Sequence, residues 1–121
     1  MKHSEEFIAL AEAARKKVNE LSLEQAQEHV RNGAVLVDVR EDSEWQAGHA
    51  RDAVHMSRGI LERDIVQAYP DKNTEFVLYC GGGYRSVLAG ESIQKMGYKN
   101  VHSMIGGWKA WKEAKLPIDT D

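Results

Sequence analysis

The one cysteine of this chain, Cys80, has the neighbours that best support nucleophilic chemistry. It ends the apolar run at residues 76–80 and is followed by Gly81, Gly82, Gly83, Tyr84, Arg85 and Ser86. This pattern predicts a buried strand, a tight glycine turn and then a helix. The turn can direct backbone N–H groups at the sulfur, while the helix N-terminus and the Arg85 guanidinium add positive charge. These features favour a thiolate, and we predict that Cys80 is a catalytic nucleophile.

An inert role for the same cysteine is the main alternative. A lone cysteine at the end of a buried strand is more often a small core residue than a nucleophile. The three glycines and Arg85 favour reactivity, because an inert side chain needs neither. The glycine run lacks the spacing of the common nucleotide-binding loops, so it does not indicate a nucleotide site.

Composition limits the classes of partner and cofactor. The chain has 121 residues and a net charge of −3, so nucleic acid and acidic membrane surfaces are not expected as partners. No apolar stretch is long enough for a membrane span. A single cysteine excludes an intramolecular disulfide, which suits the reducing cytoplasm. The five histidines show no familiar ligand spacing, so structural or surface roles are favoured over metal binding.

Short strands alternate with helices along the chain. Strands are predicted at residues 18–21, 35–39, 53–56, 76–80 and 101–104. Helices are predicted from Ser4, from Ser22, at 42–45, at 60–68, at 87–96, and from Trp108 toward Lys115. The alternation predicts an α/β fold with a parallel sheet covered by helices on both faces. We expect one domain over residues 1–121, with a helical extension at 1–18 and a core at 19–118.

In a parallel α/β sheet the ligand site lies beyond the carboxyl ends of the strands. This rule places residues 40–41, 57–58 and 105–108 near Cys80. For Arg40 an ion pair with Asp38 or Glu44 is favoured over ligand contact. Arg58 is included among the candidate substrate-binding residues, with an ion pair as the alternative. Core packing is favoured over substrate stacking for the two tryptophans of the last helix.

Four segments, taken in order, resemble the rhodanese family. They are residues 36–41 (LVDVRE), 44–49 (EWQAGH), 80–86 (CGGGYRS) and 106–108 (GGW). The resemblance covers about residues 20–118. It implies a three-layer α/β/α fold around a five-stranded parallel sheet, and sulfur transfer through a cysteine persulfide. Two positions depart from the family pattern. ARDA replaces the frequent IPGA after Gly-His, and Gly81 stands where thiosulfate-preferring members tend to carry a basic residue.

The resemblance implies that Cys80 takes a sulfane sulfur from a small anionic donor, such as thiosulfate or a persulfide. The N–H groups of residues 81–86 would hold the persulfide. The acceptor would be cyanide, a thiol or a protein, and the reaction would need no metal and no organic cofactor. A sulfur carrier or regulatory binding module with a protein partner is the alternative. A cysteine phosphatase or arsenate reductase is disfavoured, because their C-x5-R loop is one residue longer than the segment from Cys80 to Arg85.

Overall fold

The computed structural model describes residues 3–120, so the first two residues of the expected extension and Asp121 lie outside it. The helices are α1 (Glu5–Arg15), α2 (Leu23–Arg31), α3 (Asp42–Ala47), α4 (Arg58–Ala68), α5 (Tyr84–Lys95) and α6 (Gly107–Glu113). The strands are β1 (Asn19–Leu21), β2 (Val35–Asp38), β3 (His49–Ala50), β4 (Val54–His55), β5 (Glu75–Tyr79), β6 (Asn100–Met104) and β7 (Ile118–Asp119). Five strands form a parallel sheet in the order β1-β6-β5-β2-β4. The predicted α/β class is confirmed.

Local side-chain chemistry fixes where the first two helices begin. The Ser4 hydroxyl accepts a hydrogen bond from the backbone N–H of Phe7 at 3.1 Å. Ser22 and Gln25 form a reciprocal capping box, with distances of 2.9 and 3.1 Å. Each cap satisfies backbone donors that a helix start would otherwise leave unpaired. Both predicted helix starts are therefore confirmed.

The two faces of the sheet are buried against different helices. Alternate strand residues Val37, Phe76 and Leu78 share one core cluster with residues of α4 and α5. The intervening Leu36 and Val77 share a second cluster with residues of α2 and α6. This arrangement explains why β2 and β5 are apolar at successive positions.

None of the helices among residues 3–120 is long and apolar enough to cross a bilayer.

The N-terminal helix packs against α5 along a narrow stripe. Ala11 and Ala14 form a cluster with Val87 and Leu88. The apolar spacing of α1 also predicts that Leu10 is buried in this stripe, but Leu10 is 58% exposed. This prediction is wrong, because the cluster between α1 and α5 contains Ala11 and Ala14 but not Leu10.

Other differences from the sequence prediction concern short or terminal elements. Helix α4 begins at Arg58 rather than near residue 60, and α6 ends before Lys115, whose φ is +57°. The antiparallel pair of β3 and β7 was not predicted. Two-residue strands are too short to show an apolar period, so periodicity cannot reveal them.

Candidate active site

The Cys80 thiol lies between the end of β5 and the start of α5. The residue is 1% exposed, and its Sγ accepts a hydrogen bond from the backbone N–H of Gly83 at 3.1 Å. Gly83 is the N-cap of α5 and has a φ of +119°, a conformation that favours glycine. The positive end of the helix dipole therefore meets the sulfur. Among residues 3–120 this is the one backbone N–H that bonds to Sγ, whereas we expected a cradle from residues 81–86.

Two buried hydroxyl groups continue the hydrogen bonding behind the sulfur. Cys80 Sγ lies 3.5 Å from Ser86 Oγ, and that oxygen lies 2.7 Å from Ser103 Oγ. Both serines are fully buried. When Cys80 is a thiolate, the Ser86 hydroxyl can donate to it while Ser103 donates to Ser86. Sequence reasoning missed Ser103; its place on β6 beside Leu78, near the carboxyl end, was the available signal.

The start of α6 holds the backbone of the cysteine loop. The N–H of Trp108 donates to the Cys80 carbonyl at 2.7 Å, and the N–H of Lys109 donates to the Gly81 carbonyl at 3.2 Å. A Cβ on Gly107 would lie 2.2 Å from the Cys80 carbonyl oxygen, so this position requires glycine. Gly107 and Trp108 thus lie beside Cys80, as expected, and the hydrogen bonds from Trp108 and Lys109 hold the backbone of the loop.

Arg85 does not offer a free charge to the site, contrary to our expectation. Its guanidinium forms a bidentate ion pair with Glu44, at 2.7 and 3.1 Å. The hydrogen bond from Arg85 lowers the pKa of Glu44, and the same bond raises the pKa of Arg85. Both groups are therefore charged at neutral pH, and Glu44 offsets much of the positive charge that Arg85 would otherwise present.

The other two arginines near this end of the sheet have different surroundings. Arg40 is 3% exposed and pairs with the buried Asp38 at 2.8 Å, so the predicted ion pair is confirmed with Asp38 and not with Glu44. Arg58 is the first residue of α4, and within residues 3–120 its buried Nε has no hydrogen-bond partner. Arg58 is not among the described residues that line the cavity at Cys80. Its contact with substrate stays a prediction.

A cavity of about 510 Å³ opens onto the cysteine loop. Its lining residues are His3, Phe7, Glu44, Cys80, Gly82, Tyr84 and Arg85. The Tyr84 ring packs edge-on against His3 and Phe7, at centroid distances of 5.1 and 5.9 Å. Part of the lining is therefore aromatic and comes in part from the N-terminal segment, whereas the Glu44–Arg85 pair provides a charged part. Sequence reasoning did not assign His3, Phe7 or Glu44 to the site, because they lie far from Cys80 along the chain.

A match to a family model assigns this chain to a protein family. The model of the rhodanese-like domain matches residues 22–114. The chain belongs to the rhodanese-like domain family. The predicted family and its three-layer fold are thus confirmed. The matched range contains the cysteine loop, Glu44 and Ser103, but it excludes α1, which supplies part of the cavity wall.

Of three similar proteins, two are named as sulfur transferases. The thiosulfate sulfurtransferase GlpE of Haemophilus influenzae is 34% identical over 101 residues, which are 84% of this chain and 94% of GlpE. The polysulfide-sulfur transferase homodimer of Wolinella succinogenes is 29% identical with a TM-score of 0.81, covering 96% of this chain and 88% of that one. A Rhodopseudomonas palustris protein, described as of unknown function and a possible tyrosine phosphatase, is 28% identical with a TM-score of 0.85, covering 98% of each chain.

Proposed function

We propose that this protein is a sulfurtransferase that carries a sulfane sulfur on Cys80. The observation that carries the proposal is the position of Sγ, which receives the Gly83 N–H at the N-terminus of α5 and lies at a cavity. The similarity to named sulfurtransferases supports the same reaction. A persulfide would add one sulfur atom to the chain, so intact-mass measurement after incubation with thiosulfate tests the proposal.

The reaction takes place in two displacement steps. The Cys80 thiolate attacks the outer sulfur of thiosulfate, the sulfur–sulfur bond of the donor breaks, and sulfite leaves with the bonding electron pair. An acceptor thiolate or cyanide then attacks the outer sulfur of the Cys80 persulfide, and the Cys80 thiolate leaves. The Gly83 N–H and the Ser86 hydroxyl stabilise the thiolate at the start and end of this cycle.

The cavity suits small sulfur compounds of two kinds. An anionic donor is attracted by the α5 N-terminus, while the aromatic wall of His3, Phe7 and Tyr84 can contact the apolar part of a thiol or persulfide. A carrier role with a protein donor or acceptor would use the same Cys80 persulfide and would differ by slow turnover with small acceptors.

We place the protein in the cytoplasm, whose reducing conditions suit its single thiol. We also treat residues 1–121 as one domain.

Release of Arg85 from its ion pair is expected to accelerate the reaction with thiosulfate. Glu44→Gln removes a negative charge from the cavity and frees the guanidinium for the anionic donor. We expect the second-order rate of persulfide formation to rise roughly threefold to tenfold at low salt. The gain should shrink as ionic strength rises. Stopped-flow or rapid-quench mass analysis of the first step measures the rate of persulfide formation.

A matched control separates this local effect from a change in net charge. Glu91 pairs with Lys17 at 3.3 Å and is not among the described lining residues, so Glu91→Gln should leave the rate unchanged. Adding Arg85→Ala to Glu44→Gln should remove the gain. A slower reaction in Glu44→Gln than in the wild type would show that the ion pair serves to position the loop instead.

A phosphatase is the second candidate, favoured by the description of the Rhodopseudomonas palustris protein. The site argues against it in two respects. Four residues separate Cys80 from Arg85, and Arg85 is held by Glu44. A phosphoryl group needs several donors around its equatorial oxygens, and a loop with one residue fewer than C-x5-R has less room for them. We expect no cysteine-dependent hydrolysis of p-nitrophenyl phosphate in a colorimetric assay. Hydrolysis that disappears in Cys80→Ser would restore the phosphatase assignment.

A further inference from the structure

Two histidines and a glutamate converge at the end of the sheet opposite to Cys80. His29 lies in the last turn of α2, Glu75 begins β5, and His102 lies in β6. Glu75 Oε2 lies 2.6 Å from His29 Nδ1 and 2.8 Å from His102 Nε2. Glu75 and Cys80 are separated by the length of β5, about 16 Å of extended chain. The cluster is therefore independent of the cysteine site.

We propose that His29, Glu75 and His102 form a binding site for a divalent transition-metal ion, with zinc as the best match. Their three ligand atoms lie within 4.8 Å of one another. Imidazole nitrogen and carboxylate oxygen are preferred zinc ligands at about 2.0–2.2 Å, which places ligand atoms about 3.4 Å apart in a tetrahedron. The side chains need to open by less than about 1 Å from their present hydrogen bonds to reach that spacing. Mg²⁺ and Ca²⁺ prefer shells of oxygen and fit this set poorly.

The surroundings leave room for the ion and for further ligands. All three side chains are partly exposed, with exposed fractions of 37%, 31% and 16% for His29, Glu75 and His102. His29 and Glu75 border a recess of about 310 Å³, whose other lining residues are Gln25, Glu28 and Asn32. Water or the Glu28 carboxylate can complete a coordination shell of four from this side.

Asn19 provides the hydrogen bond that orients one ligand. It is the register partner of His102, and its Nδ2 lies 2.8 Å from His102 Nδ1. In the present arrangement His102 Nδ1 accepts this bond and Nε2–H donates to Glu75. With metal on Nε2, the proton moves to Nδ1, and the Asn19 amide rotates to accept it through Oδ1. This is the polar support that metal-binding histidines commonly have.

Zinc titration of the chain of residues 1–121 tests the proposal. The Cys80→Ser variant is used throughout, because the thiolate would itself bind zinc. Competition with a chromogenic chelator should show one zinc ion per chain. His29→Gln, Glu75→Gln and His102→Gln should each weaken binding at least about tenfold. His3→Gln is the matched control, since this histidine lies beside Tyr84 on the other side of the molecule, and should leave affinity unchanged.

A second measurement covers the case in which a variant folds poorly. Imidazole nitrogen NMR of the Cys80→Ser chain, with and without zinc, should show shifts confined to His29 and His102. Mg²⁺ at the same concentration should produce none. Unchanged imidazole signals, zinc affinity that survives both histidine substitutions, or affinity that is lost in His3→Gln would each overturn the proposal. The trio would then be a hydrogen-bonded link between α2, β5 and β6.

Discussion

Replacement of Cys80 by serine is expected to abolish sulfur loading completely. Cys80 is the only thiol of the chain, so no other side chain can form a persulfide. Serine keeps the size of the side chain closely enough for the Gly83 and Ser86 contacts, but its hydroxyl is a far weaker nucleophile toward sulfur. After incubation with excess thiosulfate, the wild type should gain the mass of one sulfur atom, and Cys80→Ser should gain none.

Two controls make this result specific. Cyanide or a reducing thiol should return the loaded wild type to its original mass, because both accept the outer sulfur of a persulfide. Circular dichroism should show that Cys80→Ser keeps the wild-type fold. Sulfur loading or thiosulfate:cyanide turnover that persists in Cys80→Ser would contradict the proposed function. A wild-type protein that loads sulfur but does not transfer it to small acceptors would instead favour the carrier role.

Among the proposed substitutions, replacement of Arg40 by methionine is expected to lower the free energy of unfolding most. Arg40 and Asp38 are 3% and 0% exposed, and the guanidinium also donates to the Gly48 carbonyl at 2.6 Å and lies over the Trp108 ring at 4.7 Å. Methionine fills much of the space but leaves the Asp38 carboxylate buried without a counterion. Such a loss costs about 3–5 kcal/mol, which urea denaturation measures as a lower free energy of unfolding.

Two further variants test the physical reason for this loss. Arg63→Met removes a guanidinium that pairs with Asp64 at 2.7 Å, but this side chain is 73% exposed, so stability should barely change. Asp38→Leu combined with Arg40→Met removes both buried charges and should be more stable than Arg40→Met alone. The explanation fails if Arg40→Met is no more destabilising than Arg63→Met, or if the double variant is the least stable of the three.

The Asp38–Arg40 pair also affects the site, because it links elements that converge on the cysteine loop. Asp38 ends β2, and Gly48 follows α3, the helix that carries Glu44. Glu44 in turn holds Arg85. Arg40 is thus a structural residue that keeps α3 against the sheet. Its burial leaves the α5 N-terminus and the paired Arg85 as the positive groups beside the described cavity.

Local sequence signals determined the sheet, several helix ends and the position of Cys80. Apolar runs at β2 and β5 indicated buried parallel strands, Ser4 and Ser22 indicated helix starts, and the order of four segments indicated the family. These features depend on neighbouring residues, whose spacing fixes which face is buried and where backbone donors need a partner. The catalytic role of Cys80 and the substrate contacts of residues 81–86 stay predictions.

The tertiary structure alone decided which distant side chains meet. Glu44 takes up the charge of Arg85, Ser103 extends the hydrogen bonds behind the sulfur, and Gly107 leaves space for the Cys80 carbonyl. His29, Glu75 and His102 come together from three elements, so no local spacing could reveal them. Periodicity specifies the face on which a side chain lies, but the pairing register and the packing of helices on the sheet set the distances between such side chains.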